Sequence, residues 1–178
     1  MANRQALREL QSRLADRLKA AKTQGVSASW LAVEAGGSKY LFPLNQSGEI
    51  FPWVSAQNVP YTQAWFAGVA NLRGGLYGIV DLASFVTGVM PRARSELART
   101  ESRLVALNSA LEVNCALQID KLSGLRNPDA FTDFAERAPD APEFFGHSYV
   151  DASGVNWQEI NLQLLAQQAH FLTIGAQA

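Results

Sequence analysis

Short apolar runs, separated by segments that contain turn-forming residues, are the feature that most restricts the fold of this chain. Runs of this length, rich in β-branched and aromatic residues, favour strands. They cover residues 30–33, 40–44, 49–54, 76–82, 104–107, 113–119, 148–150 and 155–157. Because the runs fall in two stretches with little helix between them, they predict a mainly antiparallel β fold, and their shortness favours barrels or curled sheets.

Two turn signals predict hairpins within these stretches. Gly36-Gly37 separates the first two runs, and a tight two-residue turn needs residues that adopt positive φ. Asp151-Ala152-Ser153-Gly154 separates the last two runs and also ends in glycine. We therefore expect antiparallel pairing across both turns.

Helical patterns lie at both ends of the chain. An amphipathic helix is predicted over residues 3–23, where leucines recur at three- and four-residue spacing at Leu7, Leu10, Leu14 and Leu18. We expect it to dock on its own domain, with pairing to a partner helix and loose attachment as alternatives. Shorter helices are predicted over residues 83–89 and after an N-cap at Asn161.

Two longer segments lack a compact apolar pattern. Residues 91–103 carry four arginines and two glutamates, which is typical of a solvated connection, with a basic partner-binding patch as the alternative. Residues 127–143 are acidic and rich in proline, and we expect a long loop there with one helical turn at 130–136.

Composition excludes several classes of partner. With 15 Lys and Arg against 16 Asp and Glu, the formal charge of -1 gives no positive field for nucleic acid or an anionic membrane. No run is apolar for long enough to span a bilayer, and the N-terminus lacks the apolar core of a signal peptide, so we expect a cytoplasmic protein. The length of 178 residues fits one domain, or two small subdomains sharing a core.

Residues that could carry chemistry show no arrangement typical of an enzyme. The sequence has no Gly-x-Ser-x-Gly elbow, no zinc or calcium motif, and no Lys-Ser or Lys-Thr after its glycine-rich segment, so no cofactor or metal is expected. Cys115 lies among apolar residues and is interpreted as a core residue. Asp81 and Asp120 each end an apolar run, where carboxylates commonly cap the next turn.

One motif carries a resemblance to a known family. The stretch from Gly68 to Leu82, with Asn71-Leu72-Arg73-Gly74 followed by a strand that ends in Asp-Leu, resembles the signature of CheW-like domains. Glu49-Ile50 stands where the family has a Glu-Ile pair, and the resemblance covers roughly residues 28–174. Two departures, Ser47-Gly48 and Gly78, leave the receptor specificity open.

The resemblance implies a fold and a function. It implies two small SH3-like β-barrel subdomains around a shared hydrophobic core over residues 26–178, with an N-terminal helix within residues 1–25 and a C-terminal helix. It implies a non-catalytic adaptor that links a methyl-accepting chemoreceptor to a CheA-type histidine kinase at receptor arrays on the inner membrane. The added N-terminal helix favours the chemosensory system of type IV pilus twitching, with flagellar chemotaxis as the alternative.

The resemblance also implies site residues. We expect Arg73 to pair with Glu49, because the family pattern places their strands side by side, and the pair to shape the partner-binding groove. The candidates for partner binding or groove shaping are Leu44, Ser47, Glu49, Ile50, Asn71, Leu72, Arg73, Gly74, Leu104 and Leu117.

Two other classes of protein remain as alternatives. One is a small enzyme that uses Asp81 or Asp120 together with Arg73 in a pocket. The other is a CheW-like regulatory part of a larger kinase or of a receiver-fused protein, which we favour less because the sequence shows no linker to another domain.

Overall fold

The computed structural model describes residues 29–176, so the predicted helix over residues 3–23 and the expected boundary at residue 25 lie outside the described residues. The strands are β1 Trp30–Ala35, β2 Ser38–Pro43, β3 Ser47–Pro52, β4 Phe66–Leu72, β5 Gly75–Asp81, β6 Arg103–Leu107, β7 Cys115–Ile119, β8 Lys121–Arg126, β9 Phe131–Ala135, β10 Phe145–Asp151 and β11 Asn156–Ile160. The helices are α1 Leu82–Thr87, α2 Glu96–Glu101, α3 Leu162–Gln167 and α4 Ala169–Leu172, with 3-10 turns at Ser109–Leu111 and Pro128–Ala130.

The eleven strands of residues 29–176 form two sheets. The first sheet has six strands in the order β8-β1-β2-β11-β10-β9, and the second has five in the order β3-β6-β7-β5-β4. Most neighbours are antiparallel, as predicted, while β2–β11 and β5–β7 run parallel. Strands β1 and β2 pair with β8 and β11 from the second half of the chain. The first sheet is therefore built from both ends of the described chain.

Strand β1 shows how the first sheet buries both of its faces. Trp30 and Ala32 belong to a cluster with Leu41 and Trp157 inside the curl of the sheet. The intervening residues, Leu31, Val33 and Ala35, belong to a different and larger cluster that receives side chains from both sheets. We call these the first barrel cluster and the shared core.

The second sheet repeats this arrangement. Leu104 and Ala106 of β6 point into a second barrel cluster with Ile79 of β5, whereas Val105 and Leu107 point into the shared core. Strands buried on both faces are apolar without alternation, which explains the unbroken apolar runs of the sequence. Two curled sheets around a shared core confirm the predicted mainly β fold with two small barrel subdomains.

Ring contacts across each sheet show the curl. Trp30 of β1 packs edge-to-face on Phe131 of β9, at a centroid distance of 5.8 Å, although three strands separate them in the sheet order. In the second sheet, Phe51 of β3 lies 6.0 Å from Tyr77 of β5. Each sheet therefore folds back on itself around its own cluster.

Two local expectations need correction. Residues 91–103 are mostly exposed, as expected of a solvated connection, but they include the short helix α2, whose first turn is capped by the Ser95 hydroxyl accepting from Ala98 N. The helical turn expected at residues 130–136 is instead strand β9, which pairs with β10. In β9, pairing with a neighbouring strand decided the outcome.

Other local expectations are confirmed. Gly36 and Gly37 have φ values of 60° and 81°, and they close the β1–β2 hairpin. Asn161 caps α3, since its side-chain oxygen accepts from Leu164 N at 3.0 Å. Cys115 is buried in the shared core, and burial raises the pKa of its thiol to about 12.

The β10–β11 turn is held by one carboxylate. Asp151 Oδ2 accepts from Trp157 Nε1 at 2.9 Å, and Oδ1 accepts from Val155 N and Ser153 N at 3.0 and 2.9 Å. These hydrogen bonds, led by that from Trp157, favour the charged form and hold the pKa of Asp151 below its ordinary value.

This geometry predicts the pH below which the hairpin loses the stabilisation that Asp151 provides. Since the pKa of Asp151 is lowered by folding, the stabilisation is complete above the ordinary value of 3.8 and is lost as the pH falls through the lower folded-state pKa. We expect the indole N–H resonance of Trp157, followed by NMR, to titrate with a midpoint below 3.8. Asp151→Asn should remove that titration, and a midpoint at or above 3.8 in the native chain would contradict the prediction.

Candidate partner-binding surfaces

The Asn71-Leu72-Arg73-Gly74 motif forms the β4–β5 hairpin. Leu72 pairs with Gly75, which leaves Arg73 and Gly74 as a two-residue turn with φ values of 50° and 87°. Asn71 Oδ1 accepts from Gly74 N at 2.8 Å and fixes the turn. Gly74 adopts this conformation without strain, whereas an arginine at positive φ is uncommon. The turn therefore holds Arg73 out at the end of the hairpin.

Side-chain burial separates the members of this motif. Leu72 is buried in the second barrel cluster and anchors the hairpin. The Arg73 side chain is 77% exposed, forms an ion pair with Glu49, and lies 5.9 Å from the ring centroid of Phe51. An ion pair this exposed contributes under about 1 kcal/mol to stability. Its effect is to orient two side chains at the surface.

The expectation that the strands of Glu49 and Arg73 lie side by side is wrong. Strand β3, which carries Glu49, and strand β4, which leads into Arg73, occupy opposite edges of the five-stranded sheet. The sheet curls until these edges approach each other, and the ion pair spans the seam between them. The pair thus links the two ends of the barrel wall.

The remaining accessible candidates lie along the β2–β3 turn and β3. Leu44 in the turn and Ser47 at the start of β3 are half-buried, and the Ser47 hydroxyl donates to Pro43 O at 3.0 Å. Ile50 is 36% exposed, and the pairing of β3 with β6 shifts register between Ser47 and Ile50. A shifted register at a sheet edge commonly re-aims side chains. This strip, from Leu44 to Ile50, is an accessible and partly apolar edge.

Leu104 and Leu117 were expected near a partner surface, and the structure corrects this. Both are fully buried, Leu104 in the second barrel cluster and Leu117 in the shared core. They belong to β6 and β7, which are interior strands of the second sheet. An interior strand with both faces covered exposes no side chain to a partner. These two leucines therefore stabilise the fold by packing in its interior.

A residue that the sequence analysis missed joins the two predicted capping carboxylates. Arg94 Nη1 donates to Asp81 Oδ2 at 2.8 Å, and its Nε and Nη2 donate to Asp120 Oδ1 at 3.0 and 2.8 Å. Asp81 also caps α1 through Ser84 N at 2.9 Å, and Asp120 accepts from Gly36 N at 2.7 Å. Asp81 therefore caps the next turn as expected, whereas Asp120 accepts from a turn 84 residues away in the chain, and Arg94 holds the two carboxylates together.

Arg94 has the environment of a structural cation. Burial disfavours its charge, but the hydrogen bonds to Asp81 and Asp120 outweigh that effect and raise the pKa of Arg94 above its ordinary value. No local pattern marked this arginine, because its partners are 13 and 26 residues away. We call the cluster of Arg94, Asp81 and Asp120 the arginine latch.

The latch bears on the enzyme alternative. That alternative needs Asp81 or Asp120 together with Arg73, but Arg73 pairs with Glu49 and both aspartates pair with Arg94. A hollow of about 500 Å³ is lined by the latch residues themselves together with other residues, among them the apolar Val89 and Met90. Over residues 29–176, no cluster of three or more His, Cys, Asp or Glu side chains could hold a metal ion. In the same range, no helix has the length and hydropathy to cross a bilayer.

Comparison with known proteins assigns this architecture to a family. Two curled sheets around one shared core, with an arginine-tipped hairpin at the barrel seam, define a scaffold of two small β-barrels. The chain belongs to the CheW-like domain family, whose model matches residues 29–135. This is a family of scaffold and adaptor proteins, and the resemblance inferred from the Asn-Leu-Arg-Gly motif is confirmed.

Two relatives illustrate the match. Protein PilI of Pseudomonas aeruginosa is 29% identical over 127 residues, which cover 71% of this chain and 67% of that protein. The crystal structure of the scaffolding protein TtCheW from Thermoanaerobacter tengcongensis superposes with a TM-score of 0.61 and 17% identity, covering 82% of this chain and 95% of that one. The second match shows a common fold.

The latch predicts a large loss of stability on removing its cation. Arg94→Ala leaves two carboxylates without their partner, one of them almost fully buried, and should lower the free energy of unfolding by about 3 kcal/mol. The exposed Arg92 is the matched control, and Arg92→Ala should change stability by less than about 0.5 kcal/mol. Urea denaturation measures both. Equal stability of the two variants would show that the latch contributes little.

Burial predicts the effect of truncating Leu117. Leu117→Ala should destabilise the domain by about 2–5 kcal/mol, because it removes a fully buried side chain from the shared core. Leu76 is 65% exposed, so Leu76→Ala should stay within about 0.5 kcal/mol of the native chain. Thermal and urea unfolding give the comparison, and a mild effect at Leu117 would restore it as a surface candidate.

Proposed function

We propose that this chain is a non-catalytic adaptor that couples a methyl-accepting chemoreceptor to a CheA-type histidine kinase in a chemosensory array. The observation that carries the proposal is the arginine-tipped hairpin, whose Arg73 meets Glu49 at the barrel seam beside the accessible edge from Leu44 to Ile50. Membership of a scaffold family supports binding as the mode of action.

The receptor would be recognised as a helical hairpin lying along an apolar groove. An amphipathic helix binds such a groove through apolar side chains at helical spacing. Leu44 and Ile50 supply accessible apolar surface for this contact, and Ser47 lies between them in the chain. The CheW-like regulatory domain of the kinase would bind at a barrel edge of this chain. An open strand edge can pair with a strand of another β domain.

The role proposed for Arg73 and Glu49 is to shape this groove. Asn71 and Gly74 form the turn, Leu72 anchors it, and the ion pair sets the position of the hairpin against β3. Because the pair is exposed, its contribution to folding is small, so its loss should affect binding more than stability. The partner contacts themselves would come from the apolar edge.

Similarity to PilI supports a place in the chemosensory system that controls type IV pilus twitching. Flagellar chemotaxis is the alternative output, and the structural match to TtCheW bears on fold alone. The adaptor would act in the cytoplasm, recruited to receptor arrays at the inner membrane. Nucleic acid is not a proposed partner, because the chain has no net positive charge.

A non-catalytic mode of action is proposed on two grounds. The carboxylates that an enzyme would use, Asp81 and Asp120, are engaged by Arg94 and by backbone N–H groups. The family is one of scaffold proteins. Binding rather than turnover is therefore the function we assign.

Charge reversal tests the proposal. Arg73→Glu should weaken binding of the receptor and the kinase by about tenfold, equivalent to roughly 1.4 kcal/mol, since two like charges would push the hairpin from β3. Combining it with Glu49→Arg should restore part of the loss. The measurement is co-purification with the kinase and receptor of the same cell, followed by titration with each purified partner.

The matched control is Arg92→Glu, which reverses an exposed arginine that makes no ion pair within residues 29–176. It should bind both partners as the native chain does. Full binding by Arg73→Glu would remove the groove-shaping role, and failure of the native chain to recover either partner would count against the adaptor function itself.

A further inference from the structure

The first described residue shows where the preceding chain joins the domain. Ser29 N donates to Arg126 O of β8 at 2.9 Å, and Ser29 O accepts from Leu44 N at 3.0 Å. Ser29 therefore lies at the corner where β8 ends, β1 begins and β2 passes into the β2–β3 turn. Any contact made by residues just before it must start from this corner.

Three leucines with accessible side chains come from the elements that meet at this corner. Leu125 of β8 is 56% exposed and immediately precedes Arg126, Leu44 is half-buried, and Leu164 of α3 is 41% exposed. Helix α3 is tied to the same turn, because Gln46 Oε1 accepts from Leu162 N at 2.7 Å. We call Leu44, Leu125 and Leu164 the leucine patch.

The segment before Ser29 has the matching chemistry. Its predicted helix over residues 3–23 places four leucines along one side, at Leu7, Leu10, Leu14 and Leu18. Residues 1–28 contain six Lys or Arg and two Asp or Glu, whereas residues 29–178 contain nine and fourteen. The two parts of the chain therefore carry net charges of opposite sign, which favours their association.

The length of the connection restricts where this segment can bind. Residues 24–28 are five residues, and five extended residues reach at most about 17 Å. A short tether of this kind gives an effective concentration in the millimolar range. The leucine patch lies where this tether joins the domain. The segment should therefore bind the patch in preference to a similar surface on another molecule.

We propose that residues 3–23 dock their leucine stripe on the leucine patch of the same molecule. This contact covers apolar surface on both sides. The inference does not rest on the adaptor function. It does have a consequence for that function, because the patch includes Leu44 and so the docked segment covers part of the proposed receptor-facing edge.

Paramagnetic NMR on the full-length chain tests the contact. A nitroxide on Ser12→Cys would sit opposite the leucine stripe, and the label reacts selectively because Cys115 is buried with a thiol pKa of about 12. We expect loss of backbone amide intensity around Leu44, Leu125 and Leu164, with the amide of Leu97 on α2 unaffected.

Matched variants and a mixing experiment decide the outcome. Leu125→Ser combined with Leu164→Ser should abolish the selective loss, whereas Leu97→Ser, at a leucine that is 74% exposed, should leave it intact. The proposal is overturned if the native chain shows no selective loss, or shows it at residues away from the patch. It is equally overturned if the loss appears when labelled chain is mixed with isotope-enriched unlabelled chain, because the segment would then dock on a second copy.

Discussion

Burial of the central strands on both faces is the constraint on which the rest of this structure depends. Each sheet curls around its own cluster, and the outer face of that curl would be apolar and wet without the other sheet. Burial of apolar surface is the main favourable term in folding, so each sheet stabilises the other through the shared core. The path of the chain reinforces this dependence, because β1 and β2 pair with strands from the second half.

Among residues 29–176, few polar side chains are buried, and one of them, Asp81, belongs to the arginine latch. Arg94 joins the end of β5, through Asp81, to the corner between β7 and β8, through Asp120. That corner also receives the β1–β2 turn through Gly36 N. One guanidinium therefore ties elements of both sheets, and the carboxylates it neutralises are the ones that an enzymatic interpretation would have used.

With the interior committed to packing, the surface available to partners lies at edges and turns. The β4–β5 hairpin holds Arg73 outwards because Asn71 and Gly74 form a tight turn and Leu72 anchors it. The edge from Leu44 to Ile50 runs nearby, from the β2–β3 turn into the strand that carries Glu49. Both surfaces rest on buried side chains of the second barrel cluster, Leu72 under the hairpin and Phe51 under the edge.

The sequence alone determined the local features: most strands, the Gly36-Gly37 hairpin, the Asn161 cap and the family motif all depend on residues close together in the chain. Only the tertiary structure decided what depends on distant residues. Leu104 and Leu117 are interior because both faces of their strands are covered, and unbroken apolar runs carry no periodicity that shows which face meets what. Arg94 sits in a charged segment, yet its role is set by carboxylates 13 and 26 residues away, which only folding brings within hydrogen-bond distance.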